Sequence, residues 1–315
     1  MAGWRGLLVS DAMICYPRAS GKSAISSHRD RQKGFSVSAL RFVTGITLLA
    51  ASFLVLNAPE HAYAQSRLDA RYTAWLSGIP LGKGAWVIDI GEDQYSAAAI
   101  GKTSGLVRIF APGEGSGASN GIVVSNQFAP SNYAASITTG KKTEEIRMTL
   151  NAGNVDDFTV TPPPTPMPDR VPLTEAHRHG VVDPMTASLA RLAGNGDMLS
   201  PEACQRRLSV FDGRLRYDLA FAFKRVEMVK AKGYAGPAIV CAVYFSPVAG
   251  HVPDRAAIKY LVQQRDMEVW LVPIAGTRVL VPFRASVPTP LGLGVLEATQ
   301  FISVPQPTKA SAKTQ

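Results

Sequence analysis

Histidine and cysteine are scarce in this chain, five and three among 315 residues. Beyond residue 64 only His177, His179 and His251 remain, together with Cys204 and Cys241. Most metal sites and most general bases are drawn from these two residue types, so the shortage narrows the chemistry at once. Neither cysteine has a second Cys or a His at zinc-site spacing, and no G-x-S-x-G elbow is present to carry a Ser-His-Asp hydrolase. Runs of Lys and Arg are also missing. The net charge of +9 is diluted along the chain, and seven of the 33 basic residues fall before residue 65. A nucleic-acid footprint needs a concentrated basic stripe, so that class of partner is excluded. No repeat of fixed period stands out, which argues against a propeller or solenoid. Gly101-Lys102-Thr103 has the look of the end of a phosphate loop, but Ser96 stands where the first glycine of that motif belongs. It reads as a polar turn, and no cofactor is expected.

Long apolar runs are absent too. The longest, 42–56 (FVTGITLLAASFLVL), has 15 residues and is closed on one side by Arg41. A membrane-spanning helix needs about 20. The run is preceded by scattered basic residues and followed by Ala62-Tyr63-Ala64, the small-x-small pattern of a signal peptidase site. The expected address is therefore an oxidising compartment outside the cytoplasm, with residues 1–64 as leader and signal, cleavage after Ala64 and Gln65 as the mature start. An uncleaved inner-membrane anchor is the alternative, and a start at Met13 shortens the leader without changing the reading. Cys15 falls in the leader. Cys204 and Cys241, an even count in an exported chain, suggest one disulfide, with two buried free thiols as the other possibility.

What is present is the rhythm of short strands. Before the proline-rich stretch 161–168 (TPPPTPMP), strands are expected at 72–79 and 85–90, joined by a turn at Leu81-Gly82-Lys83-Gly84. Others follow at 94–100, 122–128, 133–139, 145–150 and 155–161, with the glycine-rich 111–121 read as a surface loop. One helix is expected near the middle: Asp183 caps it, Pro184 opens it, and Met185, Leu189 and Leu192 fall at helical spacing before Gly194-Asn195-Gly196. After Cys204 come a hairpin, 208–211 and 214–226 around Asp212-Gly213, and then 238–245. That last segment is apolar on both faces and is expected as a central strand carrying Cys241. Strands at 258–262, 268–273, 278–286 and 291–302 complete the set, and a disordered tail is expected from Pro305. The predicted fold is mostly β: a single curved antiparallel sheet, half-barrel or barrel-like, with one inserted central helix, spanning 65–304.

Four groups of side chains merit a chemical reading. His177, His179 and Asp183 are the one cluster of metal-like or catalytic residue types, against which Asp183 is already explained as a cap. Tyr72, Trp75, Trp86 and Tyr95 fall on adjacent strands and either line an apolar cavity or fill the core. Arg214, Arg216 and Lys224 line one strand face, as an anion site or as a solvated face paired with Asp218. The glycine-rich loop offers backbone amides to an anion but lacks the strand-to-helix context of a dinucleotide site.

Several motifs together have a familiar order: Gly78-Ile79-Pro80-Leu81-Gly82; Pro168-Asp169-Arg170-Val171; the run His179 to Pro184; Phe211-Asp212-Gly213-Arg214 with Arg216-Tyr217; Gly233-Tyr234 with Gly236-Pro237-Ala238 leading to Cys241; and Thr289-Pro290-Leu291-Gly292. In this order, across roughly 66–302, the chain resembles the domain of unknown function 3108 family of exported bacterial proteins. The resemblance implies an envelope β-protein, periplasmic in a Gram-negative cell, and brings no activity, catalytic residue or cofactor. The expectation is a non-enzymatic protein that holds an apolar or amphipathic envelope ligand. The alternatives are an envelope hydrolase or carbohydrate-active enzyme using His177, His179 and Asp183, and a structural partner docking through a strand edge. Membrane contact is expected only through an uncleaved signal.

Overall fold

The computed structural model describes residues 65–105, 108 and 111–306. The leader with Cys15, the apolar run, Ala62-Tyr63-Ala64 and the chain from 307 lie outside the described residues. Alternation of apolar and polar residues builds the strands: in β1 (Gln65–Leu76) Leu68, Ala70 and Tyr72 are buried while Arg67 and Arg71 are exposed. The same logic makes β2 (Ile79–Ile90), β3 (Gln94–Thr103), β4 (Gly113–Val124), β5 (Gln127–Thr139), β6 (Lys142–Asn151) and β7 (Asn154–Thr161). The second half contains α1 (Pro184–Ala187), β8 (Ala190–Arg191), β9 (Arg207–Phe211), β10 (Arg216–Ala231), β11 (Tyr234–Ala249), α2 (Ala256–Gln263), β12 (Glu268–Pro273), β13 (Val279–Thr289) and β14 (Gly292–Gln306).

All the long strands join one antiparallel sheet in the order β7-β6-β5-β4-β3-β2-β1-β14-β13-β12-β11-β10-β9, with the short β8 paired beside β13. Two meanders, one from each half of the chain, are thus welded where β1 meets β14. The sheet is not closed, yet it curls back on itself. Phe158 of β7 and Phe211 of β9, from opposite edges, meet edge to face with centroids 5.3 Å apart. Between those edges runs the stretch 181–183. The Val182 N–H donates to Ser209 O and the Phe211 N–H donates to Val182 O, while the Val181 N–H donates to Gly153 O. An ion pair between Arg214 and Glu144 spans the same seam.

The expectation that 238–245 is a central strand carrying Cys241 holds, and 238–242 is buried on both faces for a specific reason. Ala238 and Val240 of β11 pack inside the curl with Trp270, Val272, Phe283 and Phe301. Ile239 and Cys241 point the other way, under Ala190, Ala203 and Cys204. The segment after α1 therefore covers the second face of β11–β13.

Several expectations need correction. The first turn is Ser77-Gly78, both at positive φ (49° and 80°) as a two-residue hairpin turn demands; 81–84 lies inside β2. The glycine-rich stretch is strand β4 and no loop, paired on both sides. The helix after Asp183 lasts four residues, because Ala190 and Arg191 pair with Leu280 and Val279. Leu192 accordingly lies beyond it. The Asp212-Gly213 connection is a four-residue loop, closed by Phe211 pairing with Arg216. Residues 258–262, expected as a strand, belong to α2, whose Ile258, Leu261 and Val262 follow helical spacing. The single helix expected near the middle is thus joined by α2 and by 3-10 turns at Glu175–Arg178 and Pro201–Cys204, and β14 extends through Pro305 to Gln306.

Candidate functional site

The stretch from α1 to β9 is held at several points. Asp183, fully buried, caps α1: its Oδ1 accepts from the Met185 and Thr186 N–H groups at 2.9 and 3.0 Å. Its Oδ2 accepts from Thr186 Oγ1 at 2.5 Å and Ser119 Oγ at 3.0 Å. Burial pushes this carboxyl above the usual range, and the hydrogen bonds from Thr186, Ser119 and Met185 oppose that push. Tyr95 joins the same network through Thr186 at 2.6 Å, and burial beside Asp183 raises its hydroxyl to about 12. Beneath α1, a Cβ on Gly117 would stand 3.3 Å from Met185 Sδ. β4 thus seats α1 by clearance at Gly117 and by a hydrogen bond from Ser119 to its cap.

Downstream, Cys204 and Cys241 form a disulfide with Cα atoms 5.5 Å apart, both side chains fully buried. It fastens the one-turn segment Pro201–Cys204 to β11. Immediately after it the backbone of Arg206 is fixed on both sides, its N–H donating to Cys204 O and its carbonyl accepting from Phe221 N–H, each at 2.9 Å.

Between these anchors opens a groove of about 710 Å³. Phe128, Leu189, Leu192, Ala203 and Leu208 supply its apolar lining, and Arg191, Arg206, Arg207 and Arg278 border it against only two carboxylates, Asp197 and Glu202. Three of these arginines have defined tasks or positions. Arg278 holds the outer arm, with Nε donating to Leu192 O and Nη2 to Gly196 O. Arg191 donates to Asn126 Oδ1 at 2.8 Å and lies over Phe128. Arg207 is exposed. Arg206 is different. It is half-buried, lies over the Phe221 ring at 5.7 Å, and donates from Nη2 to Leu189 O at 3.1 Å. Among the described residues it meets no carboxylate. Burial pushes its guanidinium down to about 10, so it stays charged at neutral pH. The two acids nearby are engaged otherwise: Asp197 accepts from Leu199 N–H, and a hydrogen bond with Ser200 holds the Glu202 carboxyl low.

The residues singled out from sequence lie elsewhere. Tyr72, Trp86 and Tyr95 are core side chains, with Tyr72 Oη donating to Pro282 O at 2.7 Å, and Trp75 is half-buried. None of the four borders the groove, though Tyr95 backs it, its ring 4.6 Å from that of Phe128. His177 and His179 are not in a strand. His177 Nδ1 accepts from the Thr174 N–H to cap the turn Glu175–Arg178, and His179 Nδ1 pairs with Asn154 Oδ1. Asp183 points into its own network and is not brought to either ring. Among the described residues no three His, Cys, Asp or Glu side chains are grouped to hold a metal. Arg214, Arg216 and Lys224 are matched by Glu144, Asp218 and Glu268. Lys102 and Thr103 end β3 beside a hollow of about 200 Å³ that Arg108 and Glu114 also border. Arg206 and the groove were missed in the sequence. The available signal was the Arg206-Arg207 pair beside a disulfide cysteine, with no acidic residue in the four positions after the pair.

The family model described as "Protein of unknown function (DUF3108)" matches residues 68–299. No curated protein matches the chain. One similar solved structure, described as the crystal structure of a beta-barrel-like protein of domain of unknown function DUF1849 from Brucella abortus, shares 8% identity with a TM-score of 0.39. The alignment covers 76% of this chain and 97% of that one.

Proposed function

Since the chain belongs to the DUF3108 family, whose description names no activity, we propose from its own geometry that it is an exported protein holding an apolar or amphipathic ligand in the groove beside α1. The observation that carries this reading is the groove itself. Its volume of about 710 Å³ falls in the range of small-molecule sites, about 300–1,000 Å³. Its walls are anchored by the Asp183 cap, the β8–β13 pairing and the disulfide, so the site is pre-formed and little ordering entropy opposes binding. Apolar residues line it and cations border it, an arrangement suited to a ligand with both an aliphatic part and a polar end.

Export to the periplasm is supported by the short apolar run, the Ala62-Tyr63-Ala64 pattern and the disulfide, a bond that persists in oxidising compartments. Fractionation of producing cells and the intact mass of the periplasmic protein test it: the expected species begins at Gln65, and a cytoplasmic full-length species refutes it. Native mass spectrometry of the mature protein tests the binding reading, the expected result being a retained small molecule. Ala193 is exposed at the groove edge, so Ala193→Trp should fill the groove and abolish retention without altering the melting profile. An empty wild-type protein that also takes up no added aliphatic compound would sink the proposal.

A further inference from the structure

Resting on that groove reading, we infer that the ligand carries an anionic head, a carboxylate or a phosphate, on an aliphatic body, and that Arg206 receives the head. A guanidinium drawn out of water needs a counter-charge or a full set of acceptors. At four other arginines the counter-charge comes from within the chain: Arg178, Arg214, Arg216 and Arg284 face Glu175, Glu144, Asp218 and Glu297. Arg206 meets one backbone carbonyl and one ring face. A guanidinium has five N–H donors, and only one is used here among the described residues.

The missing partner is not a matter of a wandering side chain. The Arg206 backbone is fixed by Cys204 O and the Phe221 N–H, directly after a buried disulfide. The side chain is further held by Leu189 O and the Phe221 ring. It is therefore pre-organised, and the fork of a guanidinium matches the two oxygens of a carboxylate or phosphate. The wider field agrees, since Arg207 and Arg278 border the same groove and neither forms an ion pair among the described residues. Leu189 links the two halves of the ligand site. Its carbonyl accepts from Arg206, and the residue borders the groove while its side chain packs in the core. An aliphatic body beside Leu189 and Leu192 would then place an anionic end within reach of Arg206.

Calorimetry on the disulfide-intact mature protein tests this, with four probes: dodecanoate and dodecyl phosphate below their micellar concentrations, dodecanol, and inorganic phosphate. The two anionic chains should bind at least about tenfold more tightly than dodecanol, a difference of about 1.4 kcal/mol. Inorganic phosphate should bind far more weakly than dodecyl phosphate. Arg206→Met, which keeps the length of the side chain and removes the charge, should erase the preference, so that the two anionic chains bind the variant no more tightly than dodecanol does. Equal binding of dodecanol and dodecanoate by the wild-type protein overturns the anionic head but leaves the groove reading standing, and this arm decides even where the variant fails to fold. Inorganic phosphate binding as tightly as dodecyl phosphate overturns the amphiphile and leaves a free anion site. If no chain binds at all, the groove reading itself falls.

Discussion

Replacing Cys204 and Cys241 together by alanine is expected to cost the fold about 4 kcal/mol. The bond closes a loop with a sequence separation of 37 residues, and the chain-entropy relation for a loop of that size gives about 3.8 kcal/mol at 25 °C. Against a total stability of about 5–15 kcal/mol for a folded domain, that is a quarter or more. The effect should not be uniform. β9, β10 and β11 keep their own ladders without the bond, whereas the turn Pro201–Cys204 has little besides it. That turn is tied by hydrogen bonds within itself and to its immediate neighbours, and by the burial of Ala203 and Cys204. Removing the bond should therefore loosen the wall that carries Ala203 and Arg206 before it unfolds the sheet. Urea unfolding of the wild-type and double-alanine proteins measures the total. Amide hydrogen exchange at 200–207 measures the local part, where protection should fall well below that of β11. An unfolding free energy changed by less than about 1 kcal/mol, with unchanged exchange at 200–207, would refute the claim that the disulfide is what holds this wall.

Three other variants probe the frame of the groove and the histidines outside it. Burial raises the Asp183 carboxyl in the folded state, so its contribution is fully present below the unfolded pKa and is lost as pH rises through the raised folded value. The stability of wild type relative to Asp183→Asn should accordingly decline from pH 4 to pH 8 in urea titrations; a rising difference contradicts the assigned burial. Gly117→Val should cost about 1–3 kcal/mol by pushing Met185 off its seat, read as a lowered urea midpoint with reduced ligand retention. His177→Ala with His179→Ala should cost under about 1 kcal/mol, chiefly through the lost Thr174 cap. Ligand retention should be unchanged, and loss of binding in that double variant would return the histidines to the site.

Strand existence was legible wherever one face of a strand is wet and the other dry. Leu219 and Phe221 alternate with Asp218 and Ala220, and the segment pairs as expected with β9, its other neighbour being β11. The reading failed where packing overrode local pattern. In β4 the run Gly113-Glu114-Gly115-Ser116-Gly117 reads as a flexible loop, because a strand usually announces itself by bulky side chains. Here a small residue is required at Gly117, since Met185 of α1 lies over it. At 183–192 helical spacing promised three turns, but pairing of Ala190 with Leu280 recruits the chain into the sheet after one. Residues 258–262 failed in the opposite direction: a short apolar run serves helix and strand alike, and here it forms a helix that packs on β11.

The site was less legible than the fold, and the reason is specific. A charged residue announces a function only through the partner it lacks, and partners are a property of three dimensions. Arg214 and Arg206 look alike in sequence, eight positions apart and each near a cysteine or an acid. Folding carries Arg214 to Glu144, 70 residues away, and carries Arg206 to a carbonyl and an aromatic ring. The first is thereby spent on holding the seam of the sheet, and the second is left with donors to offer. His177 and Asp183 show the reverse, since both carry chemistry-bearing side chains that folding consumes in caps. What distinguishes a candidate binding residue in this protein is therefore an unmet charge at a fixed position beside an apolar groove. That condition ties the anionic-ligand reading to Arg206, and Arg206→Met is the substitution that separates it from a merely structural arginine.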